Sequence, residues 1–198
     1  MTRQRLPGAE RRHQIADAAL RILADRGATQ LTALTLAREV GVADATLFRH
    51  FPSMDAIVDA AIGRFGEALE SSLDRPEATP VTRLRAFFLH RFKLLRARPE
   101  LLRLAFNDRL IDAASGAGSA EVRAIVNRSR SFVQACLLEG RATGEIRSDL
   151  PPRILFLVMS GVMRGAALSS IDGIEDPSTP EELWDCLWRL LAAAPLQR

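Results

Sequence analysis

Apolar residues recur along this chain at spacings of three and four, and almost nowhere in strict alternation. The pattern predicts helices throughout and no sheet. After a charged arm, Met1–Glu10, a first helix is expected from about Arg11 to Asp25. Ile15, Ala19, Ile22 and Leu23 form its inner face, and Gly27 stops it. Leu36, Ala37 and Val40 give a second, shorter apolar face, and Gly41 supplies a left-handed cap at its end. A third helix, about Asp44–His50, turns Leu47 and Phe51 inward and leaves Thr46, Arg49 and His50 outside. Pro52-Ser53 opens a long fourth helix, with Ser53 as N-cap, Asp55 in the first turn, and a stripe of Ile57, Ala61, Phe65 and Leu69.

Beyond a proline-bearing linker, Asp74–Pro80, helices are expected at about Val81–Ala97 and Glu100–Ala113. Ser115-Gly116-Ala117-Gly118 reads as a loop. Long helices then follow at about Ala120–Thr143, ending at Gly144, and from Pro151-Pro152 to Ser170. Asp172–Pro180 is turn-rich, and a last helix covers about Glu181–Ala194. The expectation is an all-α chain of about nine helices. Residues 1–53 form a head and residues 54–198 a helical body.

Two short helices joined through Gly41 make a helix-turn-helix, whose second helix is shaped to enter a major groove. Double-stranded DNA is therefore the first candidate partner. Arg49 can read guanine bidentately, and Thr46 can meet a thymine methyl or a phosphate. Asp44 either caps the third helix or accepts from a cytosine amino group. His50 suits a phosphate. Thr32 is expected to cap the second helix, and both Thr32 and Thr35 can donate to phosphates there. Arg3, Arg5, Arg11 and Arg12 lie in or beside the arm, where they either reach phosphates or a minor groove or serve as a solubilising tail.

In the body, the stripe Leu84, Phe88, Phe92, Leu95 has Arg91 at its centre, while Lys93 falls opposite. A charge there is costly unless paired. It reads either as a contact for a polar or anionic group of a ligand or as a structural residue, paired with Asp108 or snorkelling outward. Ser129 interrupts the stripe Val122, Ile125, Val126, Phe132, Val133, Cys136 and either bonds back to its own helix or meets a ligand. Phe106, Phe132, Met159 and Met163 would supply apolar walls, or plain core. The helix from Pro152 is apolar almost all round. Gly161 and Gly165 on it allow close approach, and Trp184, Leu187, Trp188 and Leu191 exceed what one packing face needs. These residues are candidates for a four-helix homodimer interface, or alternatively for the core of one chain.

Composition narrows the rest. Hydrophobic residues make up 47% and charged residues 26%, ordinary for a globular protein. The formal net charge of +3 decides little, and Lys93 is the only lysine among many arginines. Cys136 and Cys186 are isolated, which argues against a disulfide framework or a zinc site. No metal or cofactor is expected. His13, His50 and His90 are scattered, no paired carboxylates or glycine-rich phosphate loop stand out, and an enzyme is disfavoured. The amino terminus has no apolar signal region, and Ile154–Met163 is too short to cross a bilayer, so a cytoplasmic protein without a membrane partner is expected.

The set Ile15, Ala19, Gly27, Thr32, Leu36-Ala37, Gly41-Val42 and Thr46-Leu47-Phe48-Arg49-His50-Phe51, followed by a long helix, resembles the tetracycline-repressor (TetR) family. The resemblance implies a homodimeric transcriptional regulator, usually a repressor, that binds a palindromic operator. A small, mainly apolar effector entering the body would release it. The family usually has Tyr where this chain has Phe48, Lys where it has Met54, and a polar residue where it has Leu34; each change removes a DNA contact. A helical protein-interaction module with a degenerate head is the alternative those departures suggest.

Overall fold

Three threonines begin three of the helices in the same way. Thr32, Thr79 and Thr179 each accept a hydrogen bond from the backbone N–H three residues on, and each cap's own backbone N–H donates in turn to the side chain of Thr35, Thr82 or Glu182. Each reciprocal box satisfies two of the helix's orphan donors. Pro80 and Pro180 follow two of these caps, where the missing N–H costs nothing.

The computed structural model describes residues 7–73, 79–169 and 179–193. Among them are ten α-helices: α1 (Gly8–Arg26), α2 (Ala33–Val40), α3 (Asp44–His50), α4 (Met54–Glu70), α5 (Pro80–Ala97), α6 (Pro99–Ala105), α7 (Arg109–Ala113), α8 (Gly116–Ala142), α9 (Pro152–Ser169) and α10 (Pro180–Leu191). A 3-10 turn, Ala28–Gln30, links α1 to α2, and an isolated bridge joins Ile146 to Ala192. Arg3 and Arg5, most of the linker 74–80 and most of the loop 172–180 lie outside the described residues.

Two differences from the sequence pattern have local causes. The single helix expected over 100–113 is two. The Asn107 side-chain oxygen accepts the Arg109 N–H at 3.0 Å, and this local bond competes with the helical one. The expected loop 115–118 is instead the first turn of α8. There the Ser119 hydroxyl donates to the Ile111 carbonyl at 3.0 Å. A Cβ at Gly118 would lie 2.9 Å from Ile62 Cδ1, so glycine allows a close approach to α4 rather than a turn.

The chain divides into two compact units. The first takes α1 to α3, α4 through Ala68, Arg103 to the end of α7, and α8 through Val126. Ile15, Ala19, Leu23, Leu36, Leu47, Phe51, Ile57 and Phe65 fill its core. Arg103 pairs with Asp25, Arg109 donates to the Ala24 carbonyl, and Arg64 bonds Asp17 at 3.2 Å. That carboxylate raises the Arg64 guanidinium above its ordinary value.

The second unit takes the end of α4, α5, the start of α6, the rest of α8, α9 and α10. Its core holds Leu84, Phe88, Phe92, Leu95, Val133, Leu137, Leu155, Met159, Trp184, Leu187 and Leu191. Phe88 lies parallel to Phe92 at 6.2 Å and against Trp184 at 5.7 Å. Such ring pairs add about 0.5–1.5 kcal/mol each beyond the area they bury.

Candidate nucleic-acid interface and effector-binding body

α2 and α3 form the helix-turn-helix. Gly41 adopts φ 74° and ψ 41°, a left-handed cap that other residues enter only with strain. Its N–H and that of Val42 both reach the Ala37 carbonyl, at 2.8 and 2.9 Å, which ends α2 and sets the turn. α3 has only seven residues and buries only Leu47 fully. Phe51, just past its end, is 1% exposed and anchors it from behind.

The outer face of α3 carries Ala45, Phe48 and Arg49, with Thr46 and His50 half-buried beside them. Phe48 is 47% and Leu34, on α2, 56% exposed, so this surface is more apolar than a phosphate-binding face needs. Arg49 reaches the Thr46 hydroxyl only at 3.4 Å, which leaves most of its donors for a ligand. Asp44 is not the cap expected for α3. Ala43 holds that position, and the Asp44 carboxylate sits one residue later, accepting the Ala45 N–H at 2.7 Å. A carboxylate in the first turn still favours the helix.

Thr32 caps α2 as expected. Thr35, expected at a phosphate, directs its hydroxyl to the Gln30 carbonyl at 2.6 Å. Both hydroxyls are used in holding the helix start. Arg12, expected at a phosphate, in a minor groove or in a solubilising tail, packs within the head. It donates to the His50 carbonyl, and its guanidinium lies 4.2 Å from the Phe51 ring centroid.

In the second unit, Arg91 is buried at 6% exposure, without the Asp108 partner its position suggested. Its Nε donates to the Ser72 hydroxyl at 2.9 Å. Its Nη2 donates to the Leu69 carbonyl at 2.6 Å, to Ser72 at 2.7 Å and to Ser129 at 3.1 Å. Ser129 therefore bonds Arg91 and not its own helix. Phe87, absent from the expected set, lies under the guanidinium at 4.9 Å and against Phe132 at 5.4 Å. All these acceptors are neutral, and burial pulls the Arg91 pKa down to about 10. Ser72 was not legible, because a Ser-Ser pair ahead of a linker reads as loop.

Phe88, Phe92, Met159 and Met163 are buried in this unit as expected of walls or core. Phe106 does not join them: it is 42% exposed and belongs to the first unit. The expected dimer set also divides. Trp184, Leu187 and Leu191 point into the second unit's own core, and Trp188, half-buried, stacks on Trp184 at 6.0 Å. Their excess apolar area is met by the rings of α5. Gly161 and Gly165 are exposed, and so are Leu157 at 62% and Leu190 at 51%. Among the described residues no His, Cys, Asp or Glu cluster is arranged to hold a metal. No helix there is long and apolar enough to cross a membrane.

Residues 15–61 match the family of bacterial regulatory proteins called tetR, and residues 80–167 match the tetracyclin repressor-like C-terminal domain. The chain is 26% identical over 196 residues to the nucleoid occlusion factor SlmA of Vibrio atlanticus (strain LGP32), covering 93% of this chain and 95% of that one. It is 28% identical over 170 residues to the HTH-type transcriptional repressor Rv1474c of Mycobacterium tuberculosis (strain ATCC 25618 / H37Rv), covering 85% and 86%. The fold is similar to that of the ketosteroid transcriptional regulator KstR2 of Mycobacterium tuberculosis, with a TM-score of 0.73 at 17% identity over 93% of this chain and 96% of that one. A glycine-capped helix-turn-helix ahead of an all-helical body, each matched by its own family description, places this chain in the TetR family of ligand-responsive transcriptional regulators.

Proposed function

We propose that this regulator acts as a homodimeric repressor on an inverted-repeat operator, and that a small, mainly apolar molecule held in the body releases it. Residues 1–53 would bind DNA, and residues 54–198 would take the effector and the second subunit. The observation that carries the reading is α3: Leu47 and Phe51 fix it from behind while Phe48 and Arg49 stand free of the core. Two such helices on a two-fold axis require half-sites about one helical turn or more apart. Selection of bound sequences from random duplex DNA by the purified protein tests this, and inverted repeats are the expected product. Recovery of unrelated sequences, or of single half-sites only, counts against it.

A second reading has one specific support, the likeness to a nucleoid occlusion factor over 93% of this chain. A protein of that kind would occupy many chromosomal sites. Genome-wide occupancy separates the readings: a few promoter-proximal sites favour the repressor, and dispersed sites away from promoters favour the other.

A further inference from the structure

Arg91 is a buried guanidinium whose protein partners are all neutral. Among the described residues no carboxylate reaches it, and its hydrogen bonds go to two serine hydroxyls and one carbonyl. These bonds use Nε and Nη2. Nη1 has no acceptor among the described residues. Arg83 Nε is the only fully enclosed side-chain nitrogen or oxygen without a partner there, so Nη1 keeps an opening. The two N–H groups of Nη1, presented from low dielectric on a cation, match a carboxylate in charge.

The occupied side of the guanidinium also matters. The Leu69 carbonyl belongs to the last turn of α4, and Ser72 follows it, donating to that same carbonyl at 2.8 Å. Arg91 therefore puts a positive charge on the negative end of the α4 dipole. α4 runs unbroken from Met54 to Glu70. Any group that draws the guanidinium away alters how α4 ends.

We propose that Arg91 is the receptor for a carboxylate on an otherwise apolar effector, and that this carboxylate competes with the last turn of α4 for the guanidinium. The inference rests on the reading of the body as the effector domain and adds the effector's chemical class. Phe87 lies under the guanidinium and against Phe132, and Met159 and Met163 lie in the same core. The carboxylate turns an uncompensated buried charge into a paired one, which no neutral isostere does.

The test uses the full-length protein and matched acids and primary amides: decanoate with decanamide, phenylacetate with phenylacetamide. Calorimetry should show at least one acid binding at least about tenfold more tightly than its amide, the scale of a charge-assisted pair. Hydrogen exchange should speed up in residues 68–73 when the acid binds. Arg91→Gln should erase the preference for acid and leave amide binding as it was. If Arg91→Gln fails to fold, Arg91→Lys replaces it, and the preference should shrink because one ammonium cannot hold the Leu69 carbonyl and Ser72 and still present two donors outward. Acid and amide binding alike, or a preference that survives Arg91→Gln, overturns the proposal. So does the absence of binding by every acid. If the amides release DNA as well as the acids do, the effector reading stands while the role of Arg91 falls. If an acid binds through Arg91 but DNA affinity is unmoved, the receptor stands and the effector reading falls.

Discussion

The Arg12 guanidinium lies over the ring of Phe51, 4.2 Å from its centroid, and donates to the carbonyl of His50. One side chain at the start of α1 thus closes the C-terminal end of α3, where backbone carbonyls have no helical partner. The contact makes the placement of the short helix α3 depend on α1. Arg12→Gln should lower the stability of the head by about 1 kcal/mol, the sum of a partly exposed cation–π contact and a charged hydrogen bond. Urea unfolding followed by circular dichroism should show a lower midpoint at unchanged slope. An unchanged midpoint would mean that the contact adds nothing.

Arg49 is exposed on α3 and bound only weakly to Thr46. Arg49→Ala should leave the melting temperature near wild type and weaken operator binding by about 1–3 kcal/mol if it reads a guanine. Titrations against single-base variants of the selected operator show which. A loss concentrated at one position identifies base reading, and an even loss identifies a phosphate contact.

The apolar residues of α9 and α10 fall into two groups with different expected outcomes. Leu157 is 62% exposed and Trp184 3%. Leu157→Glu should leave one subunit folded and shift a dimer toward monomer in light scattering near micromolar concentration. Trp184→Glu should instead destabilise the second unit by about 3 kcal/mol or more, since it removes a buried ring and buries a charge. A Leu157→Glu protein that remains fully dimeric would move the interface elsewhere.

Lys93 bonds Glu181 at 3.0 Å and holds its carboxyl below the usual 4.5. A depressed acid binds its proton less readily when folded than when unfolded. Its contribution to stability is therefore complete above about pH 4.5 and is lost as pH falls through the lower, folded value. A carbon-detected NMR titration of Glu181 should find its midpoint below 4.5 in the wild type and closer to 4.5 in Lys93→Gln. A midpoint unmoved by the substitution would mean that the pair is not held in solution.

Legibility followed the range of the interactions. Gly41, Thr32, Ser53 and the span of α3 were readable because caps and turns are decided by a few adjacent residues. The break at Asn107 was not, because an asparagine carbonyl can serve a helix or interrupt one, and only its bond to Arg109 decides. Arg91 stood out as a charge in an apolar stripe. Its partners Ser72 and Leu69 could not be read, because they lie about twenty residues away across a linker. Trp184, Leu187 and Leu191 read as surplus because Phe88, which faces Trp184, lies far away in sequence. Hydrophobic excess on a helix says that something covers it, and sequence does not say whether that cover comes from the same chain or another.

The seven residues of α3 divide their duties unusually cleanly. Leu47 holds the helix to its neighbours, while Ala45, Phe48 and Arg49 face outward. Substitutions at these three outward positions leave the core intact, so they incur no folding debt that other sites must offset. With α3 as the proposed DNA reader, lineages carrying this chain can explore new target sequences one residue at a time, with the scaffold unchanged beneath them. The apolar Phe48 and Leu34 on this surface are compatible with such drift, and DNA specificity should diverge between relatives faster than the fold that presents it.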